Sequence, residues 1–135
     1  MNVGIASSVV GSLRSHAAAA HPHEACGVLL GDAAGCIVEA VAARNVAEYP
    51  ERSFEIEPAV LLASHRGARG RGLTVAGWYH SHPDGVGQPS PTDAARAVED
   101  GKLWLVVAGD AVSAWRVVPD GPVHGRFETV ALQPR

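Results

Sequence analysis

Gly77-Trp78-Tyr79-His80-Ser81-His82-Pro83, followed by Asp84-Gly85-Val86-Gly87-Gln88-Pro89 and then Ser90-Pro91-Thr92-Asp93, decides the reading of this chain. The apolar run Leu73-Thr74-Val75-Ala76 precedes it, so 73–82 reads as a strand. Side chains two apart on a strand share a face, so His80 and His82 can aim at one point. Pro83 has no N–H for a ladder and ends the strand, and the glycines and prolines after it make a turn-rich loop. A helix then starts. Ser90 fits the N-cap, Pro91 fits the first helical position, and Asp93 puts a carboxylate in the first turn, where the helix dipole favours it. Ala94-Ala95-Arg96-Ala97-Val98 continue the helix to about residue 100, and Gly101 ends it. Two neutral imidazoles and a carboxylate on rigid elements suit zinc, with one position left for water. Singly, each residue has a plainer reading: Asp93 as a cap, the histidines as hydrogen-bonded groups at a strand end.

The spacing resembles that of the JAMM (MPN+) metalloproteases, small prokaryotic type. There an upstream Glu precedes His-[Ser/Thr]-His-Pro, six residues, Ser, two residues and Asp. Here His80-Ser81-His82-Pro83, 84–89, Ser90 and Asp93 fill the pattern, and Glu24-Ala25-Cys26-Gly27 matches the upstream context. The resemblance implies a zinc (Zn2+) metalloprotease with His80, His82 and Asp93 as metal ligands and Glu24 as the general base. It implies Ser90 as an oxyanion donor, although Ser90 also fits a plain helix cap, and that choice stays open. It implies cleavage of a peptide or isopeptide bond after the C-terminal tail of ubiquitin or a ubiquitin-like protein. A short chain lacks room for the insertions with which long deubiquitinases grip linked ubiquitin. It resembles the small members that process ubiquitin-like sulfur-carrier proteins, and His21-Pro22-His23-Glu24-Ala25-Cys26-Gly27-Val28-Leu29 resembles the branch serving cysteine synthesis. The substrate tail is expected to add beside a strand edge.

Other classes fit less well. A catalytically inactive MPN-type protein-interaction scaffold normally lacks one of the Glu, His or Asp positions, and none is missing here. A DNA-repair-associated family with a similar motif carries extra helical sequence and a basic character absent here. A zinc nucleobase deaminase needs a C-x-x-C pair, and this chain has none.

The chain has 135 residues, 47% hydrophobic and 19% charged, which suits one globular domain spanning 1–135. A net charge of −3 argues against nucleic acid or an anionic membrane as partner. No run reaches the length of a membrane span, and the first ten residues lack the basic and apolar regions of a signal peptide. Cys26 and Cys36, ten apart, are neither a C-x-x-C pair nor a disulfide framework and read as buried thiols. A cytoplasmic location is the expectation. The oligomeric state is open, a homodimer being one option.

Along the rest of the chain, 5–20 reads as a helix capped by Ser7 or Ser8, broken by His21-Pro22-His23, which read as a solvated loop. Glu24 opens a buried strand through Gly31. Asp32 to Gly35 turn the chain into a second strand, 36–43. Asn45 either caps a strand end or braces the site. Residues 53–57 alternate as a half-buried strand, and Pro58 starts a helix ending in the basic cluster His65, Arg66, Arg69 and Arg71. A central strand at 103–108, its hairpin partner at 111–118 and an edge strand at 123–132 complete an α/β fold. It has a mixed, mostly antiparallel β-sheet flanked by about three helices. Trp78, Trp104 and Trp115 read as core.

Overall fold

The computed structural model describes residues 2–135. Its elements run β1 (Asn2–Ile5), α1 (Ser7–Ala20), β2 (Cys26–Gly31), β3 (Ile37–Ala43), α2 (Pro58–Arg69), β4 (Thr74–Ser81), α3 (Pro91–Arg96), β5 (Leu103–Ala108), β6 (Ala111–Gly121) and β7 (Gly125–Pro134). The α/β class and the mixed sheet agree with the sequence reading. The sheet, however, closes into a barrel in the order β1-β3-β2-β4-β5-β6-β7. Pairing is antiparallel at β2–β3, β2–β4, β5–β6 and β6–β7, and parallel at β4–β5, β1–β7 and β1–β3.

Closure corrects two expectations. β1, absent from the sequence reading, is four residues long and pairs with β7 from Asn2–Ala131 to Ile5–Pro134. The last strand is therefore the barrel's closing partner and not an edge. Ser7 does not cap α1. Ala6 holds that position without a side-chain bond, while the Ser7 N–H and hydroxyl both donate to the Arg135 carbonyl. Residues 53–57 form no strand, only a bridge between Ile56 and Asn45. The Asn45 amide replaces the ladder: its Nδ2 donates to the Glu24 and Ser53 carbonyls at 3.0 Å, and its Oδ1 accepts from Ala47 and Glu55 N–H. Finally, α3 stops at Arg96, not near 100. The Arg126 guanidinium donates to the Ala94 and Ala97 carbonyls, supplying partners that further helix would have given.

Burial follows the period of two. On β5, Leu103, Leu105 and Val107 join Val3, Ile5, Leu13, Leu29 and Tyr79 under α1. Trp104 and Val106 point the other way, into Trp115, Phe127 and the underside of α3. Both faces of this strand are covered, which is why its sequence is continuously apolar. Trp104 and Trp115 are buried as expected, and Trp78 is half-buried. Cys26 is fully buried, but Cys36 is partly exposed, which corrects the expectation of two buried thiols; neither forms a disulfide. No helix among the described residues is long and apolar enough to cross a membrane.

Gly27, the glycine of the upstream motif, lies opposite Tyr79. A Cβ there would overlap the Val41 carbonyl and the Tyr79 ring. Neither can yield without moving a strand, so Gly27→Ala is expected to cost about 3 kcal/mol, measured by urea unfolding against the parent chain.

Candidate functional site

β4 delivers the two histidines, as its alternation requires. His80 is its penultimate residue and His82 follows its end. Ser81, between them, faces the other way: its hydroxyl accepts from the Ala25 N–H at 2.7 Å, and its N–H donates to the Ala25 carbonyl. This double tie docks the start of β2, with Glu24, against the histidine strand. The loop 83–89 then returns the chain so that α3 begins beside them.

The Ser90–Asp93 turn is a capping box. Ser90 Oγ accepts from the Asp93 N–H at 3.0 Å, and Asp93 Oδ2 accepts from the Ser90 N–H at 2.8 Å. The same Oδ2 lies 3.0 Å from His80 Nε2 and 3.1 Å from His82 Nε2, and the two Nε2 atoms are 3.0 Å apart. All three side chains are buried. His82 Nδ1 donates to the Val86 carbonyl at 2.7 Å, which fixes a proton there and leaves Nε2 its lone pair in the neutral ring. Phe54 stacks on His80 at 4.3 Å between centroids, with Trp104 edge-on at 5.8 Å.

Burial alone would raise the Asp93 carboxyl. The His80 and His82 rings, 3.0–3.1 Å from its Oδ2, outweigh it and hold Asp93 well below the usual carboxylate range. Burial lowers His80 below its ordinary value against the pull of Asp93. At His82 burial also opposes the charge, but Asp93, the Val86 carbonyl and Glu24 together raise it.

Glu24 is 5% exposed, and its Oε1 is a buried atom without a hydrogen-bond partner. It offers an oxygen within 4.8 Å of ligand atoms on His80 and His82. Burial pushes its carboxyl up to about 7, with the His82 charge working the other way. Glu24 also lines a cleft of about 440 Å³ walled by Glu51 and Arg52 on one side and by residues of 82–92, including Ser90, on the other, with His124 at the rim.

The residues present fit a divalent metal. Tetrahedral zinc with bonds of 2.0–2.1 Å needs neighbouring donors about 3.3 Å apart. The three Nε2 and Oδ2 atoms stand 3.0–3.1 Å apart, a few tenths inside that spacing. The sequence reading brought His80, His82, Asp93, Ser90 and Glu24 into one site, and they lie in one site here. It missed Phe54, and it left Asn45 undecided, whose amide braces the Glu24 carbonyl. It assigned Ser81 no role, although the residue between two histidines of one face must serve the opposite face. His21 and His23 are exposed, His23 lying 3.7 Å from Glu51.

A mixed barrel that carries His-x-His from one strand and a capping Asp from a short helix defines a JAB1/MPN-type protein. The chain belongs to the family described as prokaryotic homologs of the JAB domain, whose family model matches residues 6–118. A desampylase from Haloferax volcanii is 35% identical over 104 residues, covering 76% of this chain and 75% of that protein. The tail tip assembly protein K of Escherichia phage N15 is 30% identical over 99 residues, 73% of this chain but 38% of that protein. Among solved structures, a protein from Desulfitobacterium hafniense aligns with a TM-score of 0.86 at 20% identity, over 98% of this chain and 92% of its own. A protein from Salinibacter ruber aligns at 0.69 and 30% identity, over 96% and 91%. A JAB1/MPN domain protein from Archaeoglobus fulgidus aligns at 0.62 and 18% identity, over 98% of both.

The buried Glu24 carboxyl has a sign that can be tested. Its folded pKa of about 7 lies above the ordinary 4.5, so folding takes up a proton between those values. Stability contributed by Glu24 is then full below about pH 4.5 and lost as pH rises through 7. In chelator, Glu24→Gln should stabilise the protein at pH 8 by up to roughly 3 kcal/mol and by little at pH 4. Urea unfolding at the two pH values checks this.

Proposed function

We propose that the chain is a JAMM-type hydrolase of ubiquitin-like protein conjugates, zinc-dependent, cleaving a peptide or isopeptide bond after the C-terminal Gly-Gly tail. A sulfur-carrier protein is the narrower substrate class. Residues 1–135 act as one catalytic domain, and the unpaired thiols suit a reducing, cytoplasmic compartment. The desampylase relative supports the conjugate-hydrolase class. The observation that carries the reading is the unpartnered Glu24 Oε1 beside the His80–His82–Asp93 trio. A buried carboxylate oxygen without a donor costs stability unless a reacting group fills that place.

Zinc, when held by His80, His82 and Asp93, supplies Lewis-acid chemistry and acidifies a water. Asp93 would be the third ligand, supported by its Oδ2 at 3.0–3.1 Å from both Nε2 atoms. A Glu24 oxygen within 4.8 Å of the same rings is kept for proton transfer. Glu24 has no hydrogen bond to either ring, and its unpartnered Oε1 would accept a proton from the attacking water and pass it to the leaving amine. Ser90 can serve as both cap and oxyanion donor. Its Oγ accepts from the Asp93 N–H, and its own O–H stays free to donate. The cleft between 51–52 and 83–92 receives the extended tail. An inactive scaffold would have no use for an ionisable group held at this cost.

The test is mass-spectrometric cleavage of a ubiquitin-like protein extended past Gly-Gly, and of its lysine-linked conjugate, by zinc-loaded protein with and without chelator. Chelator-sensitive cleavage directly after Gly-Gly is expected. One firmly bound zinc and no cleavage of either substrate would overturn the enzymatic reading. Glu24→Gln should keep zinc and lose about 10²–10⁴-fold in kcat. Ser90→Ala should lose about 10²-fold. Asp93→Asn should weaken zinc binding at least about 100-fold, since even groups behind metal ligands cost 10–100-fold; a chromophoric-chelator competition reads it.

A further inference from the structure

The loop 83–89 separates the histidines from Ser90 and Asp93, and it has no ladder of its own. Three of its carbonyls instead accept from side chains. Val86 accepts from His82, Gly87 accepts from the Ser113 hydroxyl at 2.8 Å, and Pro89 accepts from His124 Nε2 at 3.0 Å. A carbonyl only accepts, so Nε2 of His124 carries the proton. Ser113 is itself oriented, its Oγ accepting from Trp115 Nε1 at 2.9 Å. Two of the three donors thus come from the β6–β7 hairpin, far from the motif in sequence.

His124 is also one of two non-glycine residues with positive φ among those described, at +53°, between β6 and β7. Gly125 follows it, and glycine would suit the turn at 124 equally well. A histidine held in the left-handed region at the rim of the catalytic cleft points to a task for its side chain. Its bond falls on the residue immediately before Ser90.

Resting on the hydrolase reading above, we infer that His124, with Ser113, is a positioning residue of this active site. The β6–β7 hairpin clamps the 83–89 loop through Gly87 and Pro89, and so sets the Ser90 hydroxyl against the Glu24–His82 side of the cleft. Neither residue touches the reacting atoms, and neither is a metal ligand. The clamp acts chiefly on the rate of the chemical step, through Ser90, with zinc binding unchanged and tail binding touched only through the loop that walls the cleft.

The variants His124→Ala, His124→Gly, His124→Gln and Ser113→Ala separate this from a plain turn role. Glycine satisfies the positive φ but removes the donor, and glutamine restores an N–H at similar reach. The expected result for both His124→Ala and His124→Gly is a kcat about tenfold lower, KM within twofold and zinc stoichiometry unchanged, with most of the rate restored in His124→Gln. Hydrogen exchange of zinc-loaded protein gives a readout independent of activity. The bonded amides of Gly85, Val86 and Ser90 should exchange roughly three- to tenfold faster in the Ala and Gly variants and in Ser113→Ala, with β4 and β5 unchanged. Parent-like exchange and parent-like kcat in His124→Gly would overturn the inference. If the parent protein cleaves neither substrate, the hydrolase reading fails, and the exchange data still decide whether the clamp exists.

Discussion

One carboxylate oxygen, Asp93 Oδ2, is the point on which the rest depends. It accepts from the Ser90 N–H and lies within hydrogen-bond distance of both His80 and His82. A strand end, a loop and a helix start therefore converge on a single buried atom. The helix owes its first turn to the same group that gathers the imidazoles. Capping the helix and gathering the imidazoles are not rival uses of Asp93, because the lone pairs and the charge of one carboxylate serve both. The brevity of α3 follows: six residues suffice when the cap fixes its start and Arg126 takes up its last carbonyls.

Around that point the fold tolerates a cost. Glu24 is held nearly out of water with one oxygen unpartnered. Its main chain is not left to chance: Ser81 ties the next residue to β4, and the Asn45 amide holds the Glu24 carbonyl. Backbone bonds thus fix a side chain whose own polar atoms are left open. That division sets Glu24 apart from a buried ion pair, whose partner satisfies its charge.

How much of this could be read in the residues depends on how local each constraint is. The motif strand, the capping turn and the Glu24 strand are set by neighbours along the chain, through a period of two, a proline and a Ser/Asp pair. They are found where expected. β1 could not be read, because four residues carry no period and their partners lie about 130 positions away in β7. The 53–57 segment alternates like a strand, yet the Asn45 side chain takes the Ser53 carbonyl and the Glu55 N–H, leaving only Glu55 and Glu57 to pair with the 44–46 main chain. Phe54 looks in sequence like any apolar residue of such a strand, and its stacking on His80 comes only with the folded connector. The helix beyond Arg96 has good local propensity but loses to Arg126, a residue 30 positions further on.

The aromatic cage of His80 has a further consequence. With Phe54 parallel to the ring and Trp104 across its edge, the imidazole of a residue 1% exposed has no second rotamer to visit. A ligand side chain normally gives up rotational freedom when it binds, and that loss is subtracted from affinity. Here the loss was incurred at folding. The packing of Phe54 and Trp104 is therefore preorganisation of the candidate site, an entropic contribution made by two residues outside the His80–His82–Asp93 trio.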